Sequence, residues 1–149
     1  MGRVFFNTRE NVHTLDSGYT TYQCLASDSG KRFVLESDSG KVFMMSSTGG
    51  AYAVTMPTTV ANLEGFHCKF ITLEDTPTGD ITIAFGSAIV DGWSCDSQGD
   101  IGVGTNNTPV SNILIEAASK QGDSLDLMCD GTTWYFEARS QVHNGYTTS

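Results

Sequence analysis

Apolar and polar residues alternate with a period of two along most of the chain, and the spacing of a buried helix face is almost absent. In "GFHCKF" the pattern puts Phe66, Cys68 and Phe70 on one side, and in "SLDLMCD" it does the same for Leu125, Leu127 and Cys129. This alternation predicts strands at Thr20–Leu25, Lys31–Glu36, Lys41–Met45, Ala51–Met56, His67–Leu73, Asp80–Phe85, Asn112–Ala117, Ser124–Cys129 and Trp134–Ala138. Between them lie turn-forming clusters such as SDSG, STGG, DTPTGD, DSQGD and DGTT, which punctuate all-β proteins. Only "TTVANLE", Thr58–Glu64 after Pro57, reads as a short helix or a loop bridging two sheets. The expected fold is all-β: an antiparallel β-sandwich or barrel with at most one short helix.

A four-residue unit occurs twice, as Asp28-Ser29-Gly30-Lys31 and as Asp38-Ser39-Gly40-Lys41. It is not a phosphate loop, which needs a second glycine and a Lys that opens a helix, and it lacks the alternating oxygen ligands of a calcium loop. A reverse turn explains it: Asp or Ser caps the backbone and Gly takes the left-handed position before a strand starts. On that reading the copies are successive rungs of one meander, and Phe33 and Leu35 match Phe43 and Met45 in facing.

The ends differ from the middle. Residues 1–19 read as an N-terminal arm or edge strand, residues 20–138 as the β-domain and residues 139–149 as a polar C-terminal tail. Val4, Phe5 and Phe6 form an apolar cluster beside a polar stretch, which suits an edge strand of this domain or an arm packing on another subunit.

Charge narrows the function classes. With 17 acidic and 8 basic residues the net charge is −9, opposite to what phosphate neutralisation needs, so nucleic acid is not an expected partner. An anionic membrane surface is disfavoured for the same reason, and no apolar run has the length of a membrane span. The start "MGRVFFNTRENVH" lacks the apolar stretch of a secretory signal. None of the four cysteines belongs to a CxxC pair. Cys68 and Cys129 fall on apolar faces and read as buried free thiols, with a disulfide as the alternative. Cys95 lies in a polar segment and is the candidate exposed thiol.

Chemical motifs are scarce. No nucleophile elbow, zinc-binding helix or catalytic carboxylate pair stands out, and His13, His67 and His143 lie far apart. "DGWSCDSQGD" and "EDTPTGD" are acidic but match no cation-loop spacing, so solvated turns are expected. The chain therefore reads as non-enzymatic, with no cofactor and no metal. In "DGTTWYFEA", Trp134 and Phe136 share one face and are assigned to the core; Tyr135 falls on the other. Trp93 and Tyr135 are the candidates for stacking on sugars.

The order "GKVFMM…VTMP…LEGFHCKFITLE…GDSLDLMCDGTTWYFEA" resembles a recurrent pattern in small β-rich virion proteins of tailed bacteriophages, most like the capsid decoration, or cement, proteins. The matching pieces are Gly40–Phe43, Val54–Pro57, Gly65–Ile71, Gly122–Leu127 and Asp130–Tyr135. The resemblance implies a homotrimer, assembled in the host cytoplasm, that binds the major capsid protein on the outer surface of the head and stabilises it. The alternative expectation is a tail-fibre or baseplate module that binds host glycans.

Overall fold

The computed structural model describes residues 5–7, 12–14, 20–25, 31–47, 49–75, 77–97, 101–105 and 110–149. Among the described residues fourteen strands run in chain order: β1 (Phe5–Asn7), β2 (Val12–Thr14), β3 (Thr20–Leu25), β4 (Lys31–Phe33), β5 (Val42–Ser46), β6 (Tyr52–Thr55), β7 (Phe66–Thr72), β8 (Ile81–Ala84), β9 (Ile89–Asp96), β10 (Ile101–Thr105), β11 (Asn112–Ile115), β12 (Ser124–Cys129), β13 (Thr133–Ser140) and β14 (Tyr146–Thr148). The only helical pieces among the described residues are single 3-10 turns at Glu36–Asp38 and Val60–Asn62, the second inside the segment expected to be a helix or bridging loop.

The strands form a β-sandwich. A nine-stranded sheet, in the order β1-β2-β3-β5-β7-β12-β13-β9-β10, packs against a five-stranded sheet, β14-β11-β8-β6-β4. Both sheets are mixed rather than antiparallel. From β3 to β8 the chain changes sheet at every strand, so strands two apart in sequence run the same way. β3, β5 and β7 are therefore parallel neighbours in one sheet, and β4, β6 and β8 in the other. A strand in the opposite layer supplies the crossover that a helix supplies in α/β folds. The second half of the chain then closes the sandwich with mostly antiparallel pairs, while β9 joins β13 in parallel.

The period-two pattern does what it predicts in the centre. Phe66, Cys68 and Phe70 of β7, and Leu125, Leu127 and Cys129 of β12, are all buried between the layers. Trp134 is fully buried and ties the layers together: its ring meets Phe66 of β7 edge-on at 5.3 Å, and Phe85, just after β8, at 5.6 Å. Phe43 stacks on Phe70 at 5.0 Å across the parallel β5–β7 pair.

Two expectations are corrected. The two DSGK copies are not rungs of one meander, because β4 and β5 lie in different sheets. Phe43 and Met45 are buried, but Phe33 and Leu35 point outwards and Val34 takes the core position. Among the described residues β4, the edge of its sheet, pairs on one side only, so its pattern is not constrained from both flanks. The turn itself is as expected for the second copy: Gly40 has φ +82°, and Asp38 accepts from the Leu35 amide (2.8 Å) and pairs with Lys41 (2.5 Å). The first copy, up to Gly30, lies outside the described residues.

The second correction concerns residues 139–149. They are no tail: β13 runs to Ser140, and β14 pairs with β11 with Tyr146 buried. Asp123 secures this return. Its buried carboxylate accepts from Ser140 Oγ (2.8 Å), from the Lys120 amide (2.8 Å) and from the Gln141 amide (2.9 Å), joining three segments.

Candidate functional site

The outward side of the nine-stranded sheet carries a concave groove of about 580 Å³ over β5, β7, β12, β13 and β9. Strand register builds it. One row crosses the sheet as Val42, Lys69, Asp126, Glu137 and Trp93; the next runs through His67, Met128, Tyr135 and Asp91. These are the alternates of the buried residues, so the pattern that fills the core also selects the groove lining. Three large side chains are notably open to solvent: Met128 at 56% and Trp93 and Tyr135 at 42% each.

Gly92 lies in the groove floor. A Cβ there would come within 2.1 Å of the Phe136 carbonyl oxygen and 2.6 Å of its ring, so only glycine allows β9 to lie this close to β13. The closeness sets Trp93 opposite Glu137 and one alternate along from Tyr135, on a shared face.

The polar groups in and around the groove are mutually engaged. Lys69 Nζ pairs with Asp126 Oδ2 at 2.8 Å, and Arg139 holds Glu137 Oε1 through two nitrogens at 2.6 and 2.8 Å. The Tyr135 hydroxyl donates to Asp130 Oδ2 at 3.0 Å. That carboxylate also accepts from the Thr133 amide (2.7 Å), the Thr132 hydroxyl (2.7 Å) and the Thr132 amide (2.8 Å) in the turn between β12 and β13. Hydrogen bonds from Thr133, then from Thr132, with a smaller one from Tyr135, hold the Asp130 carboxyl well below the usual aspartate range. The bond to Asp130 in turn pushes the Tyr135 phenol up.

The structure brings the sugar-stacking candidates Trp93 and Tyr135 together in one groove. It treats the arm residues differently. Val4 lies outside the described residues; Phe5 and Phe6 lie on β1, opposite Thr14 and His13, at the edge of the larger sheet. Met128, His67, Lys69, Asp126 and Gly92 were not singled out as site residues. For the first four the signal was the outward register of strands already predicted, once the strand order was known; Gly92 lies on β9, which the alternation does not predict.

The acidic segments serve structure. Asp91 and Asp96 are on β9 rather than in a loop, Glu74 binds the Ser46 hydroxyl and the Ser47 amide, and Asp80 accepts from the Ala117 amide. Asp100 lies outside the described residues. His143 meets Asp96 at 3.2 Å, and His67 contacts the Gly65 carbonyl at 3.2 Å. Among the described residues no three His, Cys, Asp or Glu side chains converge to hold a metal ion. Cys68, Cys95 and Cys129 are free thiols, and Cys95 is part-buried on β9, not in a loop. Burial first, then the Asp38 and Asp126 carboxylates, pushes the Cys68 thiol far up, which disfavours the nucleophilic thiolate. No helix among the described residues is long and apolar enough to cross a membrane.

No protein-family model matches the chain, and no curated protein matches it.

Proposed function

We propose that the protein is a structural virion protein of a tailed bacteriophage: a head decoration protein that binds the major capsid protein from outside, as a homotrimer, and stabilises the capsid. The observation that carries this reading is the apolar edge at β4. Phe33 is 64% and Leu35 58% exposed, and Leu35 borders a hollow walled by Pro57 and Thr58. Large apolar side chains exposed on an edge strand and just beyond it are costly to leave in water and suit a protein partner.

β1 is the edge strand of the larger sheet at the end away from β10, which meets β14. Among the described residues, β1 and β4 each end a sheet and pair on one side only. Such an edge serves assembly through added interface area, not chemistry. A trimer that engages several capsid subunits gains avidity from each contact. The net charge of −9 fits attachment outside the head better than contact with packaged DNA. The Asp130 turn lies within the resembling stretch Asp130–Tyr135, and Asp123 within Gly122–Leu127.

Cosedimentation with capsids lacking the protein tests the proposal. Deleting residues 1–10, or replacing Phe33→Ser together with Leu35→Ser, is expected to abolish binding while the β-sheet circular dichroism signal persists. Undiminished binding by both variants would sink it.

A further inference from the structure

We infer that the groove on the outer face of the nine-stranded sheet is a binding site for a neutral saccharide. It is separate from the β4 edge and does not depend on the capsid reading, because its residues sit on the opposite sheet.

Size and lining come first. A hollow of about 580 Å³ is in the range of small-molecule sites, and it exposes Trp93, Tyr135 and Met128 beside Asp126, Glu137 and Lys69. A pyranose has the matching duality: C–H faces that stack on aromatic rings and a rim of hydroxyls that both donate and accept. The Tyr135 ring is held in place through its hydroxyl by Asp130, so little side-chain freedom is lost on stacking.

Charge selects against ionic ligands. Among the described residues of the groove, Lys69 pairs with Asp126, Glu137 with Arg139 and Lys41 with Asp38, so both lysines already have a carboxylate partner and offer little to a carboxylate, sulfate or phosphate. Each paired carboxylate still has lone pairs to accept a sugar hydroxyl.

Backbone geometry selects against a peptide. The floor strands β12, β13 and β9 each have a hydrogen-bonded neighbour on both sides, so their main-chain groups are engaged in the ladders. A peptide laid across this face would lose its own main-chain hydrogen bonds to water without replacement. A saccharide needs only side-chain partners, and those are what the face presents.

The test uses the full chain. An array of neutral and acidic oligosaccharides identifies binders, and isothermal calorimetry with the best neutral hexasaccharide measures affinity. A neutral oligosaccharide is expected to bind; Trp93→Ala and Tyr135→Ala should each weaken it about tenfold or more, the loss of one stacking contact. Trp93→Tyr should retain binding within about fivefold of wild type. Unchanged thermal midpoints exclude unfolding as the cause, and unchanged capsid occupancy of Trp93→Ala separates this site from the capsid contact. The inference is overturned if no neutral oligosaccharide binds, if only acidic ones bind, if Trp93→Ala binds like wild type, or if a proline-rich peptide occupies the groove in preference.

Discussion

Tyr135 and Asp130 are joined by a 3.0 Å hydrogen bond across the turn between β12 and β13, so one carboxylate organises both the turn and the ring on the groove surface. This bond gives the turn a pH dependence of definite sign. The folded Asp130 titrates below its ordinary value of 3.8, so its contribution to stability is complete above about pH 4 and is lost as the solution becomes more acid. Chemical denaturation between about pH 5 and 2 should show a shallower loss of stability in Asp130→Asn than in wild type. Equal slopes would show that the carboxylate does not hold the turn.

Asp123 is a stronger structural lever, because it is buried and its partners are two backbone amides and a hydroxyl. Asp123→Ala leaves those donors without acceptors and should cost roughly 3 kcal/mol or more. Asp123→Asn keeps one carbonyl oxygen and should cost less. Urea midpoints of the two variants measure the difference.

Gly92→Ala tests the close approach of β9 to β13. The added methyl would overlap the Phe136 carbonyl, so the strands must separate or the residue must strain. The expected outcome is a lowered thermal midpoint together with weaker saccharide binding, since the floor beneath Trp93 shifts. Saccharide affinity at wild-type level in this variant would separate the floor from the site.

Thiol reactivity reports on the core. Cys68 and Cys129 are buried and free, and burial raises both thiols. In native protein both should resist an aromatic disulfide reagent, and on unfolding both should react without prior reduction. Rapid labelling of Cys68 in native protein would contradict the packing described.

The core of the central strands was readable from sequence because burial on one face imposes strict alternation, as in Leu125, Leu127 and Cys129 of β12. Strand β9 was not. Its inward residues are Val90, Ser94 and Asp96, and Gly92 interrupts the series, so polarity and burial part company there. Strand β14 was missed because Tyr146 is its only buried residue and Asp123, a partner remote in sequence, secures the chain before it. Strand direction was invisible, since a period of two reads the same both ways; hence the mixed sheets. The outward facing of Tyr135 was legible from Trp134 and Phe136. Its company with Trp93 was not, because it rests on the parallel pairing of β13 with β9.

The central claim is a place on the virion head. A reconstruction of particles that carry the chain tests it most directly. The account predicts trimers of this β-sandwich on the outer capsid surface where capsid subunits meet, with Phe33 and Leu35 covered by a neighbouring chain. Density for the sandwich on the tail or baseplate, with the head bare, would contradict it.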